Sequence, residues 1–353
     1  MPATRIAPRK ARKAVARARI VSRAPTRVDL AGGTLDIWPL YLFHEDSQTI
    51  NFATTLYASC AIEPRGDKQV HLESADLGVR ETFANIGELI RADHYKLPLL
   101  ARLARFFVPV QGFHLTTASE APAGAGIAGS SAMNIAVCGA LNAFTHAGFN
   151  KEKLLAIARN VEAQVIRVPT GDQDYYPATY GGVNAVRLTP GGVIREKLDV
   201  DRDQLVSRVV LAYTGAPRDS GINNWEVMKA HIDGKRDVIR NFERIAEIAR
   251  LLRGALERHD WNAVGRLIRV EWENRKKNAP GITTPFIDRL IKVAARHGGV
   301  AAKVCGAGGG GCVLFFVKHG AKERVSRALS AEGAQVLDTG ISAHGVTVRT
   351  NGR

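Results

Sequence analysis

Residues 121–132 read Ala-Pro-Ala-Gly-Ala-Gly-Ile-Ala-Gly-Ser-Ser-Ala, and residues 133–141 continue with small apolar side chains, without proline or charge. A glycine-rich loop therefore opens directly into a helix. The first backbone N–H groups of a helix have no intrahelical partner, and the helix dipole adds partial positive charge there, so the arrangement suits a phosphate. Gly124, Gly126 and Gly129 let the backbone approach an anion with no Cβ in the way. Pro122 precedes them, and Ser130 and Ser131 can cap the helix or reach a phosphate or its metal.

Three readings of this loop stay open. It can be a Gly/Ser turn with a serine cap. Gly124, Gly126 and Gly129 also spell the dinucleotide G-x-G-x-x-G, but residues 118–122 separate them from any strand, and the next acidic residue, Glu152, falls in a helical pattern. The third reading is nucleoside triphosphate binding without a Walker A motif, since no Gly-Lys-Ser/Thr follows.

Two further stretches carry chemistry-bearing residues. Residues 24–41 hold the turn Gly32-Gly33, with Asp36 just beyond it, where it can accept hydrogen bonds from hydroxyls or form an Asx turn. Residues 301–317 contain a second G-x-G-x-x-G, at Gly306, Gly308 and Gly311. The apolar run at 313–317 makes its continuation a strand, which argues against a Rossmann turn. Between these lies 169–182, a polar turn with Asp172, Gln173 and Asp174 beside Tyr175, Tyr176 and Tyr180.

Taken together, the three glycine-rich stretches resemble, in order and spacing, the motifs of the GHMP small-molecule kinases, over roughly residues 22–349. The first is similar to the sugar-kinase form, Arg-x-x-Leu-Ala-Gly-Gly with an Asp shortly after. Galactokinases carry Glu-His where this chain has Gly33-Thr34. The resemblance implies an α+β fold: a ribosomal-protein-S5-domain-2-like N-terminal domain and a ferredoxin-like C-terminal domain, with the site between them. It implies ATP and Mg²⁺ as cofactors and a sugar or sugar phosphate as substrate, with transfer at the anomeric hydroxyl. Pro122, Gly124, Gly126, Gly129, Ser130 and Ser131 would hold the nucleotide, and Ser131 and Glu162 the metal. Counted back from Gly181-Gly182, the general base falls on Asp174 and not Asp172, with Arg27 near the transfer centre. Gly33, Thr34 and Asp36 would border the substrate, with Gly308 and Gly309 from the other domain.

The remaining elements follow from pattern. Residues 18–23 and 27–31, 52–62, 69–73 and 112–117 read as strands, with 69–73 pairing with 52–62. Residues 97–107 and 151–168 read as helices, 183–197 as a hairpin and 208–213 as a strand. The character changes near 199–207, and 221–275 is almost wholly helical in pattern. A helix at 322–329 and a strand at 345–349 end the pattern. The expected division is a basic disordered tail at 1–20, an ATP-binding domain at 21–203 and a second domain at 204–353.

Composition sets bounds on partners. The net charge is +15, and residues 1–28 contain no acidic side chain. A solvated tail explains that excess, with nucleic-acid binding as the alternative of another class and mevalonate-type kinase activity as the alternative within the family. No apolar run approaches the roughly 18 residues of a membrane span. Four scattered cysteines suit buried thiols in a reducing cytoplasm. A homodimer stays open.

Overall fold

The computed structural model describes residues 18–351, apart from 218–220, 279 and 307; almost all of the expected basic tail thus lies outside the described residues. The first half of the chain runs β1 (Arg19–Ala31), a 3-10 turn (Leu40–Phe43), β2 (Gln48–Pro64), β3 (Val70–Ser74), β4 (Val79–Phe83), α1 (Ile86–Arg91), α2 (Pro98–Phe107), β5 (Phe113–Ser119), α3 (Gly129–Thr145) and α4 (Lys151–Ile166). It continues through α5 (Tyr175–Tyr180), β6 (Val183–Thr189), β7 (Gly192–Lys197) and α6 (Arg202–Val206). The second half runs β8 (Val209–Tyr213), α7 (Gly221–Ile232), α8 (Arg236–Glu257), α9 (Trp261–Arg275), α10 (Pro285–Arg296), β9 (Gly299–Val304), β10 (Cys312–Val317), α11 (Lys322–Ala331), β11 (Gln335–Leu337) and β12 (Thr347–Asn351).

Eight strands form one sheet, in the order β12-β1-β2-β5-β3-β4, with β6 and β7 branching from β2. The branch exists because β2 has 17 residues and its two ends take different partners: 48–52 pair with β6 and 58–64 with β5. The two expected strands at 18–31 are one, β1, with a register shift against β2 between Pro25 and Arg27. Proline is tolerated at such an irregularity, and Arg27 stands just beyond it. One expected pairing is corrected. β3 pairs with β4 and, in parallel, with β5, not with β2. Alternation tells which face of a strand is buried but not which strand lies beside it.

Helix α3 lies flat on this sheet. Twelve of its 17 residues are buried, so it has no polar stripe, as expected of a helix covered on all sides. Its small residues allow the approach: a Cβ on Gly139 would stand 2.9 Å from Ser22 Oγ and 3.2 Å from methyls of Val346 and Val348.

The second sheet has the order β11-β8-β10-β9, entirely antiparallel, which is the strand order of a ferredoxin-like unit. Its two faces feed different cores. One face packs Leu211, Leu314 and Phe316 with α8 and α9 against Val28, Leu30 and Phe52 of the first sheet. The other packs Val304 and Phe315 against Ile287 and Leu290 of α10 and Leu329 of α11. Apolar burial of this kind contributes ~25 cal/mol per Å², so the shared core holds the sheets together at the level where the glycine loops meet. The chain then recrosses: β12 pairs antiparallel with β1, from Arg19↔Asn351 to Arg23↔Thr347.

Candidate active site

β5 ends at Ser119 and α3 begins at Gly129, so the glycine loop spans the mouth between strand and helix. The cap residue is Ala128, left-handed at φ 59°, ψ 38°, with no side-chain cap hydrogen bond. The first-turn N–H groups are thus not taken by a serine. Instead Ser130 Oγ donates to Glu162 Oε1 at 2.6 Å, and Ser131 Oγ to Oε2 at 3.0 Å. Tyr175 OH donates to Oε2 at 2.8 Å. Gly124 and Gly126 have φ of 68° and 76°, where an L side chain would be strained. Burial pushes the Glu162 carboxyl up, and its hydroxyl donors pull it back only in part.

Arg27 ties the three motifs to one point. Its Nε and Nη2 lie 2.9 and 2.7 Å from Asp174 Oδ1. Its Nη1 donates to Gly126 O at 3.0 Å, in the first glycine loop, and to Cys305 O at 2.5 Å, in the second. Burial works against the guanidinium charge, and the charges of Asp174 and Asp29 more than offset it. Asp174 keeps 27 % of its side chain exposed, against 4 % for Arg27, so it faces the cavity while Arg27 backs it. Asp172, two residues earlier, is buried and turned onto Arg159; the two carboxylates that composition could not separate have different neighbours.

Asp36 completes the carboxylate set. Its Oδ2 accepts from Gln173 N–H at 2.9 Å and its Oδ1 from Gln173 Nε2 at 3.4 Å. Gly171 is required beneath it, since a Cβ there would lie 1.9 Å from Asp36 Oδ2. Burial, with the nearby charge of Asp174, pushes the Asp36 carboxyl up to about 7. The supposed turn at 169–182 contains a helix, α5. Pro177 hid it from sequence reading, yet it sits in the first helical turn, where proline removes no intrahelical bond.

These residues line one cavity of 470 Å³, including Arg27, Asp36, Pro122, Gly124, Glu162 and Asp174. The volume falls in the ~300–1,000 Å³ range of small-molecule sites. Thr34, Gly126, Gly129, Ser130 and Ser131 also line it, and its lining takes in Asp76, Leu77, Lys96 and Leu99 as well. Three expected substrate residues are placed differently. Gly308 packs on Ile282, where a Cβ would meet the carbonyl at 2.6 Å, and Gly309 N–H donates to Ile282 O at 2.9 Å. Among the described residues of that loop, Gly306 lines the cavity. At Gly33 a Cβ would lie 2.4 Å from Asp29 Oδ2 and 2.7 Å from Arg275 Nη1, so the glycine makes room for an ion pair. Sequence reading missed Gly171, Gln173 and Arg275; each acts through a partner on a different motif or element, which local pattern does not carry.

The donor set fits a hard cation: hydroxyl oxygens of Ser130 and Ser131 and the carboxylate of Glu162, all oxygen, as Mg²⁺ prefers. Among the described residues, no group of three His, Cys, Asp or Glu forms a metal cluster, and no helix is long and apolar enough to cross a membrane.

The chain is similar to known proteins over most of its length. Residues 94–182 match the family model "GHMP kinases N terminal domain", and residues 252–335 match "GHMP kinases C terminal". The D-glycero-alpha-D-manno-heptose 7-phosphate kinase of Campylobacter jejuni is 27% identical over 341 residues, covering 93% of this chain and 98% of that protein. A solved D-glycero-D-manno-heptose 1-phosphate kinase from Bacteroides thetaiotaomicron superposes with a TM-score of 0.73, at 25% identity over 95% of this chain and 100% of that one. Lactococcus lactis galactokinase, solved with galactose, gives a TM-score of 0.78 at 18% identity, over 93% and 95% of the two chains.

Proposed function

The chain belongs to the GHMP kinases, and we propose that it transfers the γ-phosphoryl group of ATP to a hydroxyl of a sugar or sugar phosphate, at the anomeric position. GHMP kinases use ATP as phosphate donor. The observation that carries the reading is the partly exposed Asp174 carboxylate, clamped by Arg27 in a cavity that also holds Asp36 and the helix-opening glycine loop. Asp174 accepts the proton of the attacking hydroxyl, and the two Arg27 nitrogens fix the direction of its Oδ1. Asp36 and Gln173 orient the other hydroxyls. The glycine loop and the start of α3 present N–H groups to the triphosphate, and positioning supplies most of the rate. Ser131 and Glu162 would hold Mg²⁺, which when bound neutralises charge on the transferring group.

The division into domains at 21–203 and 204–353 belongs to the same proposal, with β12 returned to the first sheet. So does a cytoplasmic location, which the burial of all four cysteines supports. The test is one screen of ATP turnover over free hexoses, heptose 7-phosphate, uronic acids and mevalonate. Turnover of a sugar or its phosphate is expected, whereas turnover of mevalonate alone would reverse the substrate class.

A further inference from the structure

Behind the cavity, four charged side chains lie together, none more than 5 % exposed: Asp29 of β1, Glu271 and Arg275 of α9, and Lys303 of β9. Asp29 Oδ2 accepts from Arg275 Nη1 at 2.8 Å and from Lys303 Nζ at 2.9 Å. Glu271 Oε1 stands 3.2 Å from Lys303 Nζ and 3.5 Å from Arg275 Nη1. The charges sum to zero. Desolvating four ions is nonetheless costly, and such a cluster is a weak source of net stability. It joins the first sheet to the second at the height of the substrate turn.

Arg275 is the member that lines the cavity. Its Nη2 donates to Gly306 O at 2.9 Å and to Thr34 Oγ1 at 3.4 Å. Its Nη1 lies where a Cβ on Gly33 would come within 2.7 Å, so the guanidinium packs flush on the turn. Thr34 is left-handed at φ 77°, a conformation that costs a non-glycine residue and persists only where its surroundings enforce it. Asp36 follows two residues later.

On the reading that this cavity binds a sugar acceptor, we infer that Arg275 is a positioning residue for that acceptor. Held from behind by Asp29, it fixes the turn at 33–36 and thereby the distance between Asp36 and Asp174. A planar guanidinium can meet Asp29, Gly306 and Thr34 at once in fixed directions; a lysine ammonium cannot.

Arg275→Lys keeps the charge and removes the fork. With the acceptor found in the screen, its KM for acceptor rises ~10–100-fold, the scale of a small misplacement, and its KM for ATP changes less than about twofold. Thr34→Val, which leaves the buried charges alone, shifts the acceptor KM in the same direction and folds as the parent does. In the double variant the effects are less than additive, as expected of one contact. Amide hydrogen exchange gives a readout without turnover: residues 32–37 exchange faster in Arg275→Lys, and residues 124–131 do not. Equal shifts in both KM values, or exchange that rises uniformly or not at all over 32–37, would show the cluster to be a structural brace and overturn the inference. If the parent phosphorylates none of the acceptors, the sugar-kinase reading fails, and the exchange result still decides for or against Arg275.

Discussion

Gly124, Gly126 and Gly129 open into helix α3, whereas Gly306, Gly308 and Gly311, with the same spacing, open into strand β10. The first loop faces the cavity with its glycines. The second presses on the back of the first: Cys312 N–H donates to Ala125 O at 2.6 Å, and a Cβ on Gly311 would lie 2.7 Å from the same carbonyl. One spacing thus has two physical origins. In the first loop the glycines border the open cavity; in the second, glycine clears space for the chain itself. Both loops lend a carbonyl to Arg27, and Arg27 holds Asp174.

The largest expected effect tests that convergence. Asp174→Asn keeps the shape and removes the base, and should lower kcat by about 10²–10⁴-fold with modest change in ATP binding. Asp172→Asn, whose partner is Arg159, should cost far less. If Asp172→Asn were the dead variant, the loops would converge on the wrong carboxylate and the comparison would break.

The next effect is one of pH. Asp36 titrates at about 7 in the folded protein, against roughly 4 for an ordinary aspartate. Between these values the folded state holds the extra proton, so stability falls as pH rises from ~4 through ~7. Relative to the parent, Asp36→Asn should therefore gain thermal stability between pH 5 and pH 8, by an amount on the order of a few kcal/mol. A protonated carboxyl is also a poorer acceptor for substrate hydroxyls. The acceptor KM should rise as pH falls below about 7, and should be flat in Asp36→Asn. Parallel melting curves of parent and variant at both pH values would remove the buried-acid account of the turn.

The smallest effect separates the loops directly. Gly311 has φ 75°, so Gly311→Ala should cost about 1–3 kcal/mol and lower the melting temperature. Gly129 has nothing within 4 Å of an added Cβ, so Gly129→Ala should melt as the parent does and instead raise the KM for ATP. Two variants with the same melting loss would erase the distinction between a loop that faces the cavity and a loop that braces.

The half of the candidate site carried by motifs was legible in the sense that residues inside short stretches come together at one cavity: Arg27 and Asp36 around one turn, Ser131 at the opening of one helix, Asp174 seven residues before Gly181. Glu162 was legible as a helical residue one element upstream. The supporting half was not. Gly33 is required by Arg275, whose partner Asp29 lies 246 residues away in the chain, and Gly171 is required by Asp36 across 135 positions. Such requirements arise only when distant elements pack, and no period or local propensity records them. The pairing of β3 was misassigned for a related reason: its alternating burial is satisfied by any neighbour that leaves the same face covered.

The pairing of β12 with β1 has a consequence for how the molecule is made. Strand β1 carries Arg27, yet one of its edges stays open until Thr347–Asn351 has been synthesised, 316 positions after Ala31. At ~5–20 residues per second that wait is about 15–60 seconds. During it the nascent chain exposes a strand edge ready to pair with any other chain. On the ribosome, the strand that carries Arg27 is thus made long before the strand that seals its edge.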